Sequence, residues 1–169
     1  LRNDMAGTLQ NRGNARRQGG DLAGAIKDYD AGIALMEAIR DELGDAWTIQ
    51  LRNYLANVYQ NRGLARADGG DLAEAFEDYD AAVAIRESIR DELGDAWTIP
   101  LRNDLAIVYQ NRGGDRWQGG DLAGAVNDYD SGIAIREAIR DELGADWPIP
   151  FRNDLAGIRQ NRGVARADG

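Results

Sequence analysis

The 169-residue sequence contains no cysteine and no histidine. Without cysteine there is no disulfide, no thiol nucleophile and no thiolate metal ligand. Without histidine the commonest general base and the commonest transition-metal ligand are gone as well. Proline occurs three times, so long stretches are left open to helix. Lysine occurs once, Lys27, among 20 basic residues, a bias that reads as coding preference and not as function. No apolar run approaches the ~20 residues needed to cross a bilayer. No signal peptide is visible, and the chain opens on Leu rather than Met. These features leave localisation open, with the cytoplasm as the default expectation and no membrane partner. The net charge of −9, from 20 basic and 29 acidic residues, argues against nonspecific nucleic-acid binding, which depends on neutralising phosphates.

What is present is a repeat. Positions 1, 51 and 101 open on Leu-Arg-Asn and position 151 on Phe-Arg-Asn. Residues 51–100 and 101–150 differ at sixteen of fifty positions. The organisation expected is therefore one repeat domain, 1–169, made of repeats 1–50, 51–100 and 101–150 with a partial fourth at 151–169. Starting and stopping in one repeat phase is what an excerpt of a longer array would show.

Within each repeat the apolar period is helical. Leu51, Leu55, Val58, Tyr59 and Gly63 form one stripe, and Leu72, Ala75, Phe76, Tyr79, Ala82, Val83, Ile89 and Leu93 a second, longer one. Nothing alternates with period two, so the fold class is all-α. Gly69-Gly70 closes the first helix, and Asp71, with Asp21 and Asp121, is placed to cap the second. Gly44, Gly94 and Gly144 sit where a helix-ending glycine belongs, and Pro100 and Pro150 fall at helix starts. The spacing predicts an A helix near 50–67 and a B helix near 71–93 in each repeat, plus a final A helix at 151–167: seven helices. Trp47, Trp97 and Trp147 lie in the inter-repeat loops, where burial of the rings would pin each loop to the B helices; an exposed aromatic ladder is the alternative. Trp117 has no counterpart in the other repeats.

The stretch NRGLARADGGDLAEAFEDYDAAVAI (61–85) resembles the tetratricopeptide repeat family. The family's small A-helix residue matches Gly13, Gly63, Gly113 and Gly163, with Leu9, Tyr59 and Tyr109 at the bulky position before it. Its B-helix alanine matches Ala25, Ala75 and Ala125; its aromatic matches Tyr29, Tyr79 and Tyr129; its second small residue matches Gly32, Ala82 and Gly132. Arg62 and Arg66 stand where the family usually has apolar residues, and Glu87 replaces its helix-ending proline. The period of fifty exceeds the family's 34, which lengthens each helix by about two turns at ~3.6 residues per turn. The resemblance implies a right-handed α-solenoid of stacked antiparallel hairpins, A helices lining the concave face and B helices the convex one. Polar Arg159 in the last helix and Thr8 in the first stand where the inner repeats have Tyr and Val, as capping repeats would.

Charge is segregated. The A segments carry +3, +2, +1 and +2, and the segments between them −5, −7 and −5. Arg62 and Arg66 share one face at i, i+4, as do Arg12/Arg16, Arg112/Arg116 and Arg162/Arg166. B-helix acids such as Asp78 and Asp80 are expected to pair with them; presentation to an anionic ligand is the alternative. The recurring acids Asp28/Asp30, Asp78/Asp80 and Asp128/Asp130 are two residues apart, diverge by about 200° on a helix and so form no acid–base dyad.

By the same resemblance, ligand-facing A-helix positions correspond to Asn57, Gln60, Asn61 and Leu64, with Asn53 one turn earlier. Asn103, Gln110 and Asn111 repeat this set in the third unit. Each amide offers donor and acceptor and could pair with an extended peptide backbone; hydrogen bonding along the stack is the alternative. The family's lysine carboxylate clamp has no match. The function expected is a non-catalytic scaffold binding a protein or extended peptide, with no cofactor, no metal and no nucleic acid. Head-to-tail self-association is the alternative.

Overall fold

The structure, a computed structural model, describes residues 2–169, with side chains from Asp4 onward. The helices are α1 (Arg2–Gln18), α2 (Leu22–Leu43), α3 (Ile49–Asp68), α4 (Leu72–Leu93), α5 (Ile99–Gln118), α6 (Leu122–Leu143) and α7 (Ile149–Asp168). Among the described residues there is no strand, so the fold is all-α with seven helices. Observed ends fall within two residues of the expected ones because the stop signals are local. Asp21 and Asp121 each accept from the N–H three residues on, at 2.9 Å, satisfying a donor that the first turn orphans. Gly44, Gly94 and Gly144 adopt φ of +50°, +50° and +53°, a region that a Cβ disfavours. Each opens a single 3₁₀ turn, at Gly44–Ala46, Gly94–Ala96 and Gly144–Asp146, which the periodicity did not signal.

Contacts gather into two compact units, Leu1–Ile89 and Arg90–Gly169, the division falling inside α4. In the first, α1 packs on α2 and α2 on α3. Arg12 meets Asp28 and Arg16 meets the Gly24 carbonyl, so partners converge toward the turn and the hairpin is antiparallel. Ala6, Ala25, Tyr29, Ile33, Met36, Ile39, Leu55, Val58 and Ala65 form the core, with Trp47 packed against it. In the second unit α5 packs on α6 and α6 on α7, around Ala125, Tyr129, Ile133, Leu155, Ile158 and Ala165, with Trp147 against them.

Close approach explains the A-helix glycines. A Cβ at Gly13 would lie 2.6 Å from the Tyr29 ring, at Gly63 3.0 Å from Tyr79, and at Gly113 2.9 Å from Tyr129. The tyrosines therefore pack directly onto backbone, and alanine at these positions would displace a buried ring. The loop tryptophans are half-buried. Arg102 donates to the Trp97 carbonyl at 3.0 Å. Arg152 does the same to Trp147 at 3.0 Å while its guanidinium lies 5.9 Å from that ring's centroid. Each contact ties a loop to the A helix that follows it.

Candidate functional site

The i, i+4 arginine pairs of α1, α3 and α5 each meet one aspartate of their own hairpin. Asp28 accepts from Arg12 at 2.6 and 2.8 Å and lies 3.1 Å from Arg16. Asp78 takes Arg62 at 2.6 Å and Arg66 at 2.8 Å, and Asp128 takes Arg112 at 2.6 Å and Arg116 at 3.0 Å. All three aspartates are buried. Two residues on, the second acid of the Asp28/Asp30 and Asp128/Asp130 pairs points elsewhere. Asp30 receives Arg62 at 2.6 Å, and Asp130 receives Arg162 at 2.6 Å and Arg166 at 3.1 Å. One acid thus closes its own hairpin while the other joins it to the next A helix, as the divergence of i, i+2 positions requires. Hydrogen bonds from Arg12 hold the Asp28 carboxyl below its ordinary range against the opposing effect of burial. Burial works against the Arg62 charge, yet Asp78 and Asp30 outweigh it and hold the guanidinium's pKa above the ordinary arginine value. Arg159 keeps the contact of the tyrosine it replaces: it pairs with Glu137 as the Tyr59 hydroxyl meets Glu37.

The amides divide into two groups. In α4, Arg86 is 2% exposed. It donates through Nε to Asn53 Oδ1 at 3.2 Å, through Nη1 to Gln60 Oε1 at 2.7 Å and through Nη2 to Asn57 Oδ1 at 2.5 Å. Three candidate ligand residues therefore turn their oxygens onto a buried cation. In the second unit Arg136, 3% exposed, donates to Gln110 Oε1 at 2.7 Å and to the Asp154 carbonyl at 3.0 Å. Its Nη2 stays 3.9 Å from the Asp154 carboxylate, and its Nε is buried without a partner. Ile107 stands where the earlier repeat has Asn57, so the third amide is missing, and desolvation lowers the Arg136 pKa.

Asn61, Asn103 and Asn111 form the other group. Each is half-buried, and none makes a side-chain hydrogen bond among the described residues. Leu64 is also half-buried. Asn3, the first-repeat counterpart of Asn53, lies outside the described side chains. The buried arginines were not singled out in the sequence, although a signal existed: position 86 falls between Val83 and Ile89 on the apolar stripe, where Met36 stands in the first repeat. Chemically the A-helix surface offers neutral donors and acceptors at Asn61, Asn103 and Asn111. Among the described residues the arginines of its i, i+4 pairs are engaged with acids, and Arg152 with the Trp147 carbonyl and ring.

No protein-family profile matches this sequence, and no curated protein matches it. A crystal structure of BtubC (BKLC) from P. vanneervenii is similar in fold, with a TM-score of 0.72 and 16% identity over 98% of this chain. The likeness shows the fold alone. This chain spans 56% of that protein's length.

Proposed function

We propose that this chain is a non-catalytic scaffold of tetratricopeptide-like hairpins that binds an extended peptide or protein segment along its A helices. These are α1 and α3 in the first unit and α5 and α7 in the second. The observation that carries this reading is the division of polar work on those helices. The arginines are occupied by Asp28, Asp78 and Asp128, and Asn53, Asn57 and Gln60 are occupied by Arg86. Asn61 and Asn111 keep a donor and an acceptor each at half-buried positions, and a peptide backbone needs both. Selection from a displayed library of random linear peptides should enrich binders to the parent protein. An Asn61→Ala, Asn111→Ala double variant should bind them about tenfold more weakly, the scale of one or two neutral hydrogen bonds. Equal affinity, or no enriched peptide, would sink the reading.

Self-association is the second reading, favoured by one observation. On α7, Ala156, Gln160 and Gly163 are exposed, whereas Ala56, Ala106, Gly63 and Gly113 are buried. Gly163 has nothing within 4 Å of its would-be Cβ. A second copy docking there forms a heterologous contact that need not close. Sedimentation at increasing concentration decides it, since a constant monomer mass rules the contact out.

A further inference from the structure

Two departures confined to the third repeat come together in space. Gly114 stands where the other A helices have Asn14, Leu64 and Val164, and Trp117 where they have Arg17, Ala67 and Ala167. In the first unit the Tyr29 hydroxyl donates to Asn14 Oδ1 at 2.7 Å, and Arg17 lies 3.2 Å from Asp68. In the second unit Trp117 Nε1 keeps the latter link, donating to Asp168 at 2.8 Å. The former link has no counterpart. Gly114 carries no amide, and a Cβ there would sit 3.8 Å from the Tyr129 hydroxyl. A pocket of about 200 Å³ opens at this point, lined by Gly114, Trp117, Gln118, Tyr129, Asn161 and Val164. Tyr129 is 1% exposed, and among the described residues its hydroxyl, which faces this pocket, has no acceptor. Trp117 and Val164, 39% and 42% exposed, form an apolar rim.

We propose that this pocket receives a neutral carboxamide, the side chain of an asparagine or glutamine on a peptide lying along the A helices. The inference rests on the peptide-binding reading above. The molecule carries its own template: Asn14 is the group that fills the equivalent place, with its oxygen accepting from the tyrosine. A ligand carboxamide restores that bond at a hydroxyl that faces the open pocket. Gln118 and Asn161 offer partners for the carboxamide N–H groups, and the Trp117 ring covers the methylenes. Charge excludes the carboxylate analogue. Burial, with Asp115 and Asp128 nearby, raises the Tyr129 pKa and keeps the hydroxyl a donor. Asp115 near the hydroxyl and Asp168 on the Trp117 indole disfavour an anion, while Asp128 is already met by Arg112 and Arg116.

The probe is N-acetyl-glutamine methylamide, titrated into the full chain while the Trp117 indole N–H is followed by NMR. A saturable shift is expected in the parent. N-acetyl-glutamate methylamide should bind about tenfold more weakly, and Gly114→Asn should abolish the response to both. That variant refills the pocket as Asn14 does and removes a helix-interior glycine, so it folds. No saturable shift, equal response to the glutamate probe, or an unaffected Gly114→Asn overturns the pocket. Peptides selected on the parent should carry Asn or Gln at one fixed position and lose about tenfold in affinity on Gly114→Asn. Peptides that bind both proteins equally overturn the carboxamide proposal while leaving the A-helix face standing. Failure to select any peptide overturns that face, while the probe titration still decides the pocket.

Discussion

Tyr54 and Asp28 show how single residues here are governed by what their polar atoms meet. The Tyr54 hydroxyl is buried without a hydrogen-bond partner, and burial pushes its pKa up to about 12. Removing that oxygen relieves a desolvation cost without opening much space. Tyr54→Phe is therefore expected to raise stability by about 1 kcal/mol in denaturant unfolding. The parent should also lose more stability than the variant from about pH 10 upward, because the unfolded phenol of Tyr54 ionises before the folded one, while the other buried tyrosines act alike in both. Asp28 is the opposite case. Its folded pKa is held down by Arg12, so its contribution is present at neutral pH and is lost as pH falls below about 4. Asp28→Asn should be less stable than the parent at pH 7, with the gap narrowing on acidification. Unfolding midpoints across that range check both directions. The Tyr54 environment was not legible in the sequence, whereas the pairing of B-helix acids with A-helix arginines was, and Asp28 meets Arg12 and Arg16. Position 54 is aspartate in the other three repeats, which pointed to solvent. The distinct duties of Asp28 and Asp30 depend on a neighbouring helix whose register periodicity alone does not set.

At the scale of the element, the B helix carries one position that decides its interior: Met36, Arg86 and Arg136 are all buried. Helix existence and ends were readable because capping, glycine stops and a period of about 3.6 residues are local. The buried guanidinium was not, since arginine on a stripe normally extends to water. The two arginines are not equivalent. Arg86 is met by three amide oxygens, and Arg136 by one amide and one carbonyl, with Nε unsatisfied. Arg136→Met, which copies the first repeat, should stabilise by ~1–3 kcal/mol, because it removes an incompletely paired buried charge. Arg86→Met should destabilise by ~1–3 kcal/mol, because Asn53, Asn57 and Gln60 lose their shared donor. Guanidinium unfolding of the two single variants tests this contrast; shifts of the same sign would contradict it.

For the whole molecule, the fifty-residue period made seven helices and an all-α fold legible, and the net charge of −9 resolves into basic A segments against acidic B segments. Much of that opposition is spent inside each unit on arginine–aspartate links, which leaves neutral amides such as Asn61 and Asn111 among the groups available on the A helices. The sequence grouped Asn53, Asn57, Gln60 and Asn61 together because it records residue type and spacing. It does not record that the first three lie against Arg86. Nor could Trp117 be placed without seeing that Gly114 clears the space beside it. The most direct measurement of the central claim is side-chain amide NMR on the labelled chain during titration with a library-selected peptide. Saturable shifts of the Asn61 and Asn111 amide signals are expected, with those of Asn53 and Gln60 little changed. Shifts confined to exposed B-helix residues such as Asn127, with Asn61 and Asn111 unmoved, would contradict it.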